Sequence, residues 1–269
     1  MGVLNVTPDS FSDGGRYLDA ADAIAHGLAL ADQGADLVDV GGESTRPGAS
    51  RTSVEEELAR VLPVIKSLTA AGVLTSIDTM RAEVAAAAVG AGARLINDVS
   101  GGKGDPQMLE TVARSGVPYV LMHWRAHSLR MQEHTDYADV VTDVIAELAE
   151  QLAAVAHAGI THSVVVDPGI GFSKTADQNW TVLRELTRFH DLGHPVLVAT
   201  SRKRFLGDLL DDRPAAGRDD ATTATSALAA VAGAWCIRTH SVRASLDAVK
   251  VAARWAGAHA GGHTERAST

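Results

Sequence analysis

The run VVVDPGIGFSKT, residues 164–175, carries a carboxylate out of an apolar segment and breaks the backbone directly behind it. Asp167 follows three valines, and Pro168, Gly169 and Gly171 come next. One acid at a strand end reads equally well as a turn former, because Asp bonds its own backbone two residues on. Polar residues occupy the same place behind seven further apolar runs: Asn5, Asp39, Asp78, Asn97 with Asp98, His123, Ser201 with Lys203, and Arg238 with His240. Asp78, Asn97 and Asp167 offer acceptors and one two-faced amide. Such a set suits a flat heterocycle whose edge alternates N–H, NH2 and C=O, since a carboxylate accepts two parallel donors. Arg238 and His240 stand two apart, so a strand turns both to one side. They precede Ser241, a candidate N-cap, and a helix N-terminus there would complete a phosphate-type anion site. The alternative is that Arg238 neutralises an acid and His240 is packed, with Lys203 and its flanking arginines forming a solvated helix start.

Residues so far apart in sequence act together only if their strands end on one face. Apolar runs recur at 2–6, 36–40, 74–78, 94–98, 118–123, 163–167, 195–200 and 235–240, with alanine-rich amphipathic stretches between them. In 137–159, Val141, Val144, Ile145, Leu148, Leu152 and Val155 keep helical spacing. Ser53 and Glu56 have capping-box spacing. Glycines 34, 72, 92, 116, 159, 193 and 233 close the helical stretches, as left-handed helix ends do. Apolar strands alternating with helices imply a parallel sheet covered on its outside, and eight of them fit a (β/α)8 TIM barrel, an α/β fold. In that fold the strand ends converge on one face, where the active site lies. The expected organisation is one domain over 1–257 and a polar tail over 258–269. The connection 124–136 is too long for an ordinary βα loop.

Composition agrees. The chain has 269 residues, 46% hydrophobic and 21% charged, as a soluble globular domain does. A net charge of −9 argues against a nucleic-acid partner, and no apolar run reaches the ~20 residues that span a bilayer. Cys236 is the single cysteine, which excludes a disulfide framework. The expectation is a cytoplasmic protein with no membrane partner.

GVLNVTPDSFSDGG (2–15), VDVGGESTRPGA (38–49), SIDT (76–79), NDVSG (97–101), DPGIGFSKT (167–175), SRKRFLG (201–207) and RTH (238–240) together resemble the dihydropteroate synthases of folate biosynthesis. The likeness runs from about residue 2 to 255. It implies a Mg2+-assisted transferase that joins 6-hydroxymethyl-7,8-dihydropterin diphosphate to 4-aminobenzoate, giving 7,8-dihydropteroate and pyrophosphate. Carried over motif by motif, Asp78, Asn97, Asp167 and Lys203 would hold the pterin. Asn5, Arg238 and His240 would hold the diphosphate, with the Asn5 amide oxygen on Mg2+. Thr45, Arg46, Pro47, Phe172 and Ser201 would form the aminobenzoate pocket, and Asp13 would stabilise a pterin methylene cation; Asp13, Lys203, Arg238 and His240 would be the catalytic set. Sulfonamides would compete with aminobenzoate, and the expected assembly is a homodimer.

Three departures accompany the likeness. Ser241 replaces a frequent Asp, Ala199 and Thr200 replace a glycine-containing version, and Trp124 with Arg125 replaces the more widespread loop sequence, where they would contact substrate. A pterin-dependent methyltransferase barrel would share Asp78, Asn97 and Asp167 but has no use for GGESTRPGA or RTH, and a catalytically silent pterin-binding paralogue is a further alternative. A Schiff-base aldolase would need Lys203 inside an apolar barrel.

Overall fold

In a computed structural model the eight apolar runs are the strands of a parallel barrel. The structure describes residues 1–7, 20–44, 52–127, 130–161 and 163–257. In chain order the elements are β1 (Gly2–Asn5), α1 (Ala20–Asp32), β2 (Val38–Gly41), α2 (Val54–Ala70), β3 (Thr75–Asp78), α3 (Ala82–Gly90), β4 (Leu95–Asp98), α4 (Met108–Ser115), β5 (Tyr119–Met122) and α5 (Val140–His157). They continue with β6 (Val164–Asp167), α6 (Ala176–Arg184), β7 (Leu197–Val198), α7 (Arg204–Leu209), α8 (Asp219–Val231), β8 (Cys236–Ile237) and α9 (Val242–Trp255). β1 to β6 pair in sequence order and β7 pairs with β8. Parallel bridges Val166–Val196 and Gly2–Thr239 join the two sheets at both edges and close the ring. The last two strands are shorter than their apolar runs, yet the Arg238 amide still reaches the Val198 carbonyl at 3.0 Å.

Alternation along each strand sorts side chains into two cores. Outward residues such as Leu4, Val40, Ile77, Ile96, Leu121 and Val166 are buried under the helices. Inward residues Leu95, Val120, Val165, Leu197 and Ala199 fill the barrel's interior with Met1. The helices meet the outer core along narrow stripes. On α5, Val141, Val144, Leu148 and Val155 are buried, with Ile145 and Leu152 packed against them. Burying each such side chain contributes about 1.5–3 kcal/mol.

The helix ends follow the sequence in part. All seven closing glycines have positive φ. At Gly116, the C-cap of α4 with φ 67°, no atom lies within 4 Å of where a Cβ would stand, so conformation alone demands glycine. Ser53 Oγ accepts from the Glu56 amide at 3.2 Å, but the Glu56 carboxylate turns to Arg60 at 2.5 Å, which leaves half a capping box. The complete box is one the sequence reading passed over: Thr175 and Gln178 exchange bonds of 3.2 and 2.9 Å at the start of α6, fixing the exit of the loop behind Asp167. Residues 124–136 contain a short 3-10 turn, Met131–Glu133, pinned by the buried Met131.

Candidate active site

Register places the expected ligand hooks. Asn5 pairs with Gly41, Gly41 with Asp78, and Asp78 with Asn97, so three of them share one rung at the C-terminal mouth. Asp167 enters the same mouth from the end of β6, opposite Met122. Two strand-end residues do not belong there. Asp98 and His123 fall on the outward phase of the alternation. Asp98 is fully buried and organises the next loop, accepting from Ser100 N (2.8 Å), Ser100 Oγ (2.6 Å), Gly102 N (2.7 Å) and Tyr119 Oη (2.9 Å). His123 lies beneath α5 with Nε2 2.8 Å from Glu147.

Asp39, to which sequence reasoning gave no role, is the hub of the inner polar layer. It is fully buried and accepts from Ser76 Oγ at 2.5 Å, Asn97 Nδ2 at 2.9 Å and Arg238 Nε at 2.6 Å. Arg238 Nη2 donates to Asp78 at 2.6 Å. The Arg238 guanidinium thus bridges two carboxylates. Burial pushes the Asp78 carboxyl up to about 7, with Arg238 opposing and Asp39 reinforcing the shift. Burial works against the charge on Arg238, but Asp39 and Asp78 hold its proton above the usual arginine range.

Asp167 serves the backbone and faces the mouth at once. Its Oδ1 accepts from the Gly169 amide at 2.8 Å, as a turn former would. Gly169 has φ 69°, and a Cβ there would stand 2.4 Å from the His123 carbonyl oxygen, so no other residue fits. Over this turn lies Lys203, whose Nζ donates to the Ile170 carbonyl and sits 4.9 Å from the centre of the half-buried Phe172 ring. Burial lowers the Lys203 ammonium to about 8 despite Asp167 nearby, while Asp167 itself is raised by burial against the pull of Lys203. Lys203 therefore lies over the turn behind Asp167 and is not a solvated helix start. Its neighbours differ: Arg202 pairs with Asp219 at 2.7 and 2.8 Å, and Arg204 is exposed.

His240 is held by Ser201. The Ser201 hydroxyl lies 2.9 Å from His240 Nδ1 and accepts from the His240 amide at 3.1 Å. Ser241 occupies the N-cap position of α9 without a side-chain cap bond; the Ser241 amide donates to Thr239 Oγ1 at 3.1 Å instead. Thr200 turns outward to Thr225 at 2.8 Å, so only Ala199 of that pair borders the interior. Arg125 stacks 3.7 Å from the Tyr137 ring and bonds Glu147, and Trp124 packs edge-on to His127 at 4.9 Å. Arg125 is thus held by Glu147 and Tyr137 of its own chain. Asp13, Thr45, Arg46 and Pro47 lie outside the described residues. Both stems of the second loop are tied: Thr52 N donates to Glu43 at 3.0 Å, and Arg81 reaches Glu43 at 2.8 Å as well as Glu57 and the Thr52 carbonyl.

The profile of the pterin binding enzyme family matches residues 1–240. A dihydropteroate synthase of Mycobacterium leprae is 53% identical, over 99% of this chain and 95% of its own. The Xanthomonas albilineans dihydropteroate synthase solved with 4-aminobenzoic acid superposes with a TM-score of 0.88 at 45% identity, covering 97% of this chain and 93% of its own. The Yersinia pestis dihydropteroate synthase solved in a sulfonamide drug complex gives 0.90 at 38% identity, with 95% and 93% covered. These likenesses extend over the whole barrel and carry no support for a methyltransferase or a silent paralogue. The chain belongs to the pterin binding enzymes and, among them, to the dihydropteroate synthases.

Proposed function

We propose that the barrel mouth joins 6-hydroxymethyl-7,8-dihydropterin diphosphate to 4-aminobenzoate, with Asp78, Asn97 and Asp167 on the pterin edge and Lys203 over its face. The observation that carries this is the convergence of two buried carboxylates and one amide on the inner phase of β3, β4 and β6. Arg238 aligns Asp78, and Ser201 holds the His240 imidazole two residues further on. Arg238 and His240, with Asn5, take the diphosphate end. Phe172 and Ser201, with the Thr45, Arg46 and Pro47 loop, take the aminobenzoate.

Aminobenzoate is a weak nucleophile, so the leaving group must be made to leave. The C–O bond to the diphosphate breaks and its electron pair departs on oxygen, where Arg238 and His240 neutralise the growing charge. The methylene cation left behind is spread over the electron-rich pterin, and the Asp13 carboxylate stabilises it. The aminobenzoate nitrogen then forms the C–N bond and loses its proton afterwards. Mg2+ fits the donor chemistry at Asn5, whose one amide oxygen suits an ion held chiefly by substrate phosphates. Bound there it would supply further charge neutralisation on the diphosphate.

Sulfonamides would occupy the aminobenzoate pocket in competition with that substrate. A second copy of the chain is the proposed partner: Leu228 and Val231 on α8, with Val251 and Trp255 on the adjoining α9, are exposed apolar residues on two helices packed together. Among the described residues no helix is long and apolar enough to cross a membrane.

Asp167→Asn tests the ring site. The amide oxygen still receives the Gly169 N–H, so the turn survives while the ring donors lose a charged acceptor. A charged hydrogen bond is worth about 1.5–3 kcal/mol, so pterin affinity by calorimetry falls roughly 10- to 150-fold. Unchanged affinity would make Asp167 a turn former only.

A further inference from the structure

Beneath the turn that carries Phe172 lies a lysine that the reaction as described does not use. Lys174 is 3% exposed. Its ammonium meets three acceptors: His123 Nδ1 at 3.1 Å, the Gly169 carbonyl at 3.2 Å and the Phe172 carbonyl at 3.3 Å. Three N–H donors match three acceptors. His123 accepts at Nδ1, and so carries its proton on Nε2 toward Glu147 at 2.8 Å. Arg125 completes the chain by clasping both Glu147 oxygens while stacking on Tyr137, whose hydroxyl donates to the Ser173 carbonyl at 2.9 Å. The turn 169–173 is therefore gripped from below by Lys174 and Tyr137 and from above by Lys203.

We propose that Lys174 is a positioning residue of the reaction, its ammonium fixing the Phe172 ring against the aminobenzoate site through His123 and the Gly169 and Phe172 carbonyls. This rests on the reading of Phe172 given above. Deprotonation would leave two N–H groups for three acceptors and loosen the turn. The charged and titratable groups facing Lys174 are Asp167 on β6, His123 behind β5, Lys203 before α7, Arg125 in the loop after β5 and Glu147 on α5. Burial dominates them and lowers the ammonium to about 7, while His123, pushed to about 3 by burial and by Lys174, stays neutral throughout.

The test is steady-state product formation by the full chain from pH 6 to 9, varying aminobenzoate at saturating pterin diphosphate and then the reverse. In the parent, the KM for aminobenzoate rises with pH through an ionisation that is missing in Lys174→Met. At pH 6 that variant raises the KM for aminobenzoate about tenfold while the KM for pterin diphosphate moves less than about threefold. Asp78 also titrates near neutrality, so the diagnostic is the ionisation present in the parent and absent from the variant. Lys174→Gln, which keeps a donor, recovers part of the loss. Tyr137→Phe removes one bond to the same turn at a half-buried site and is the second variant should Lys174→Met not fold; it raises the KM for aminobenzoate about threefold. Parent-like values, or equal shifts for both substrates, would overturn the inference while leaving the reaction intact. No turnover by the parent would overturn both.

Discussion

Removing the charge of Asp39 tests whether one buried carboxylate organises the ring site. Its Oδ2 takes Asn97 Nδ2 and Arg238 Nε together, and its Oδ1 takes the Ser76 hydroxyl. In Asp39→Asn the amide oxygen replaces Oδ2, so both N–H donors keep an acceptor, and Ser76 rotates its hydroxyl to accept from the new NH2. What is lost is the charge, which leaves Arg238 one carboxylate where it had two. One charged hydrogen bond made neutral in a buried site costs about 1–1.5 kcal/mol, the difference between a bond to a charged group and a bond to a neutral one. Asp39→Ala strands all three donors and breaks one arm of a buried ion pair, at about 3–5 kcal/mol. Urea unfolding should show losses in that order. Calorimetry on Asp39→Asn should show weakened pterin binding although Asp39 has no place at the pterin edge, because Arg238, which aligns Asp78, loses one of its two charged partners. A loss below about 0.5 kcal/mol with unchanged pterin affinity would refute the hub.

Two further outcomes follow from the same geometry. Ser173 holds φ 47° and its buried hydroxyl has no partner. Ser173→Gly relieves about 1–2 kcal/mol of left-handed strain and the stranded hydroxyl, against about 0.4–1 kcal/mol of unfolded-chain entropy, so it should raise stability by roughly 1 kcal/mol in thermal melts. A lower melting temperature would contradict that sum. Lys174 and Lys203 have their ammonium groups lowered by burial to about 7 and about 8. Between those values and the ordinary lysine range the unfolded chain binds more protons, so stability should rise with pH from about 7 to about 10, and Lys174→Met should rise less steeply. Equal slopes in denaturant titrations would show that Lys174 keeps an ordinary proton affinity.

Much of the fold is legible in the sequence because its signals are local. Apolar runs, helical spacing and seven closing glycines each act within a few residues, and together they define a barrel. The site is legible only as far as strand ends. Asp98 and His123 look like mouth residues until the alternation is counted from Asn97 and Met122, which sends both outward to Tyr119 and Glu147. That signal is present in the sequence and could have been used. Arg238 is different: its partners are 199 and 160 residues away, and no local pattern says that Asp39 and Asp78 bracket it. Lys174 looks like a surface lysine ahead of a helix, and only the fold places His123 beneath it. Ser241 has the right type and position for a cap, yet its side chain makes no cap bond; Thr239 Oγ1 takes the Ser241 amide and lies 3.0 Å from Ser245 Oγ.

If the two substrates react at one mouth through loss of diphosphate, neither alone should yield product. The most direct measurement is pyrophosphate released by the purified chain with Mg2+, given each substrate alone and both together. Release is expected only when pterin diphosphate and aminobenzoate are both present, with dihydropteroate formed in equal amount. Release from the pterin diphosphate alone at the same rate would mean hydrolysis, and none under any condition would mean a binding protein; either result would contradict it.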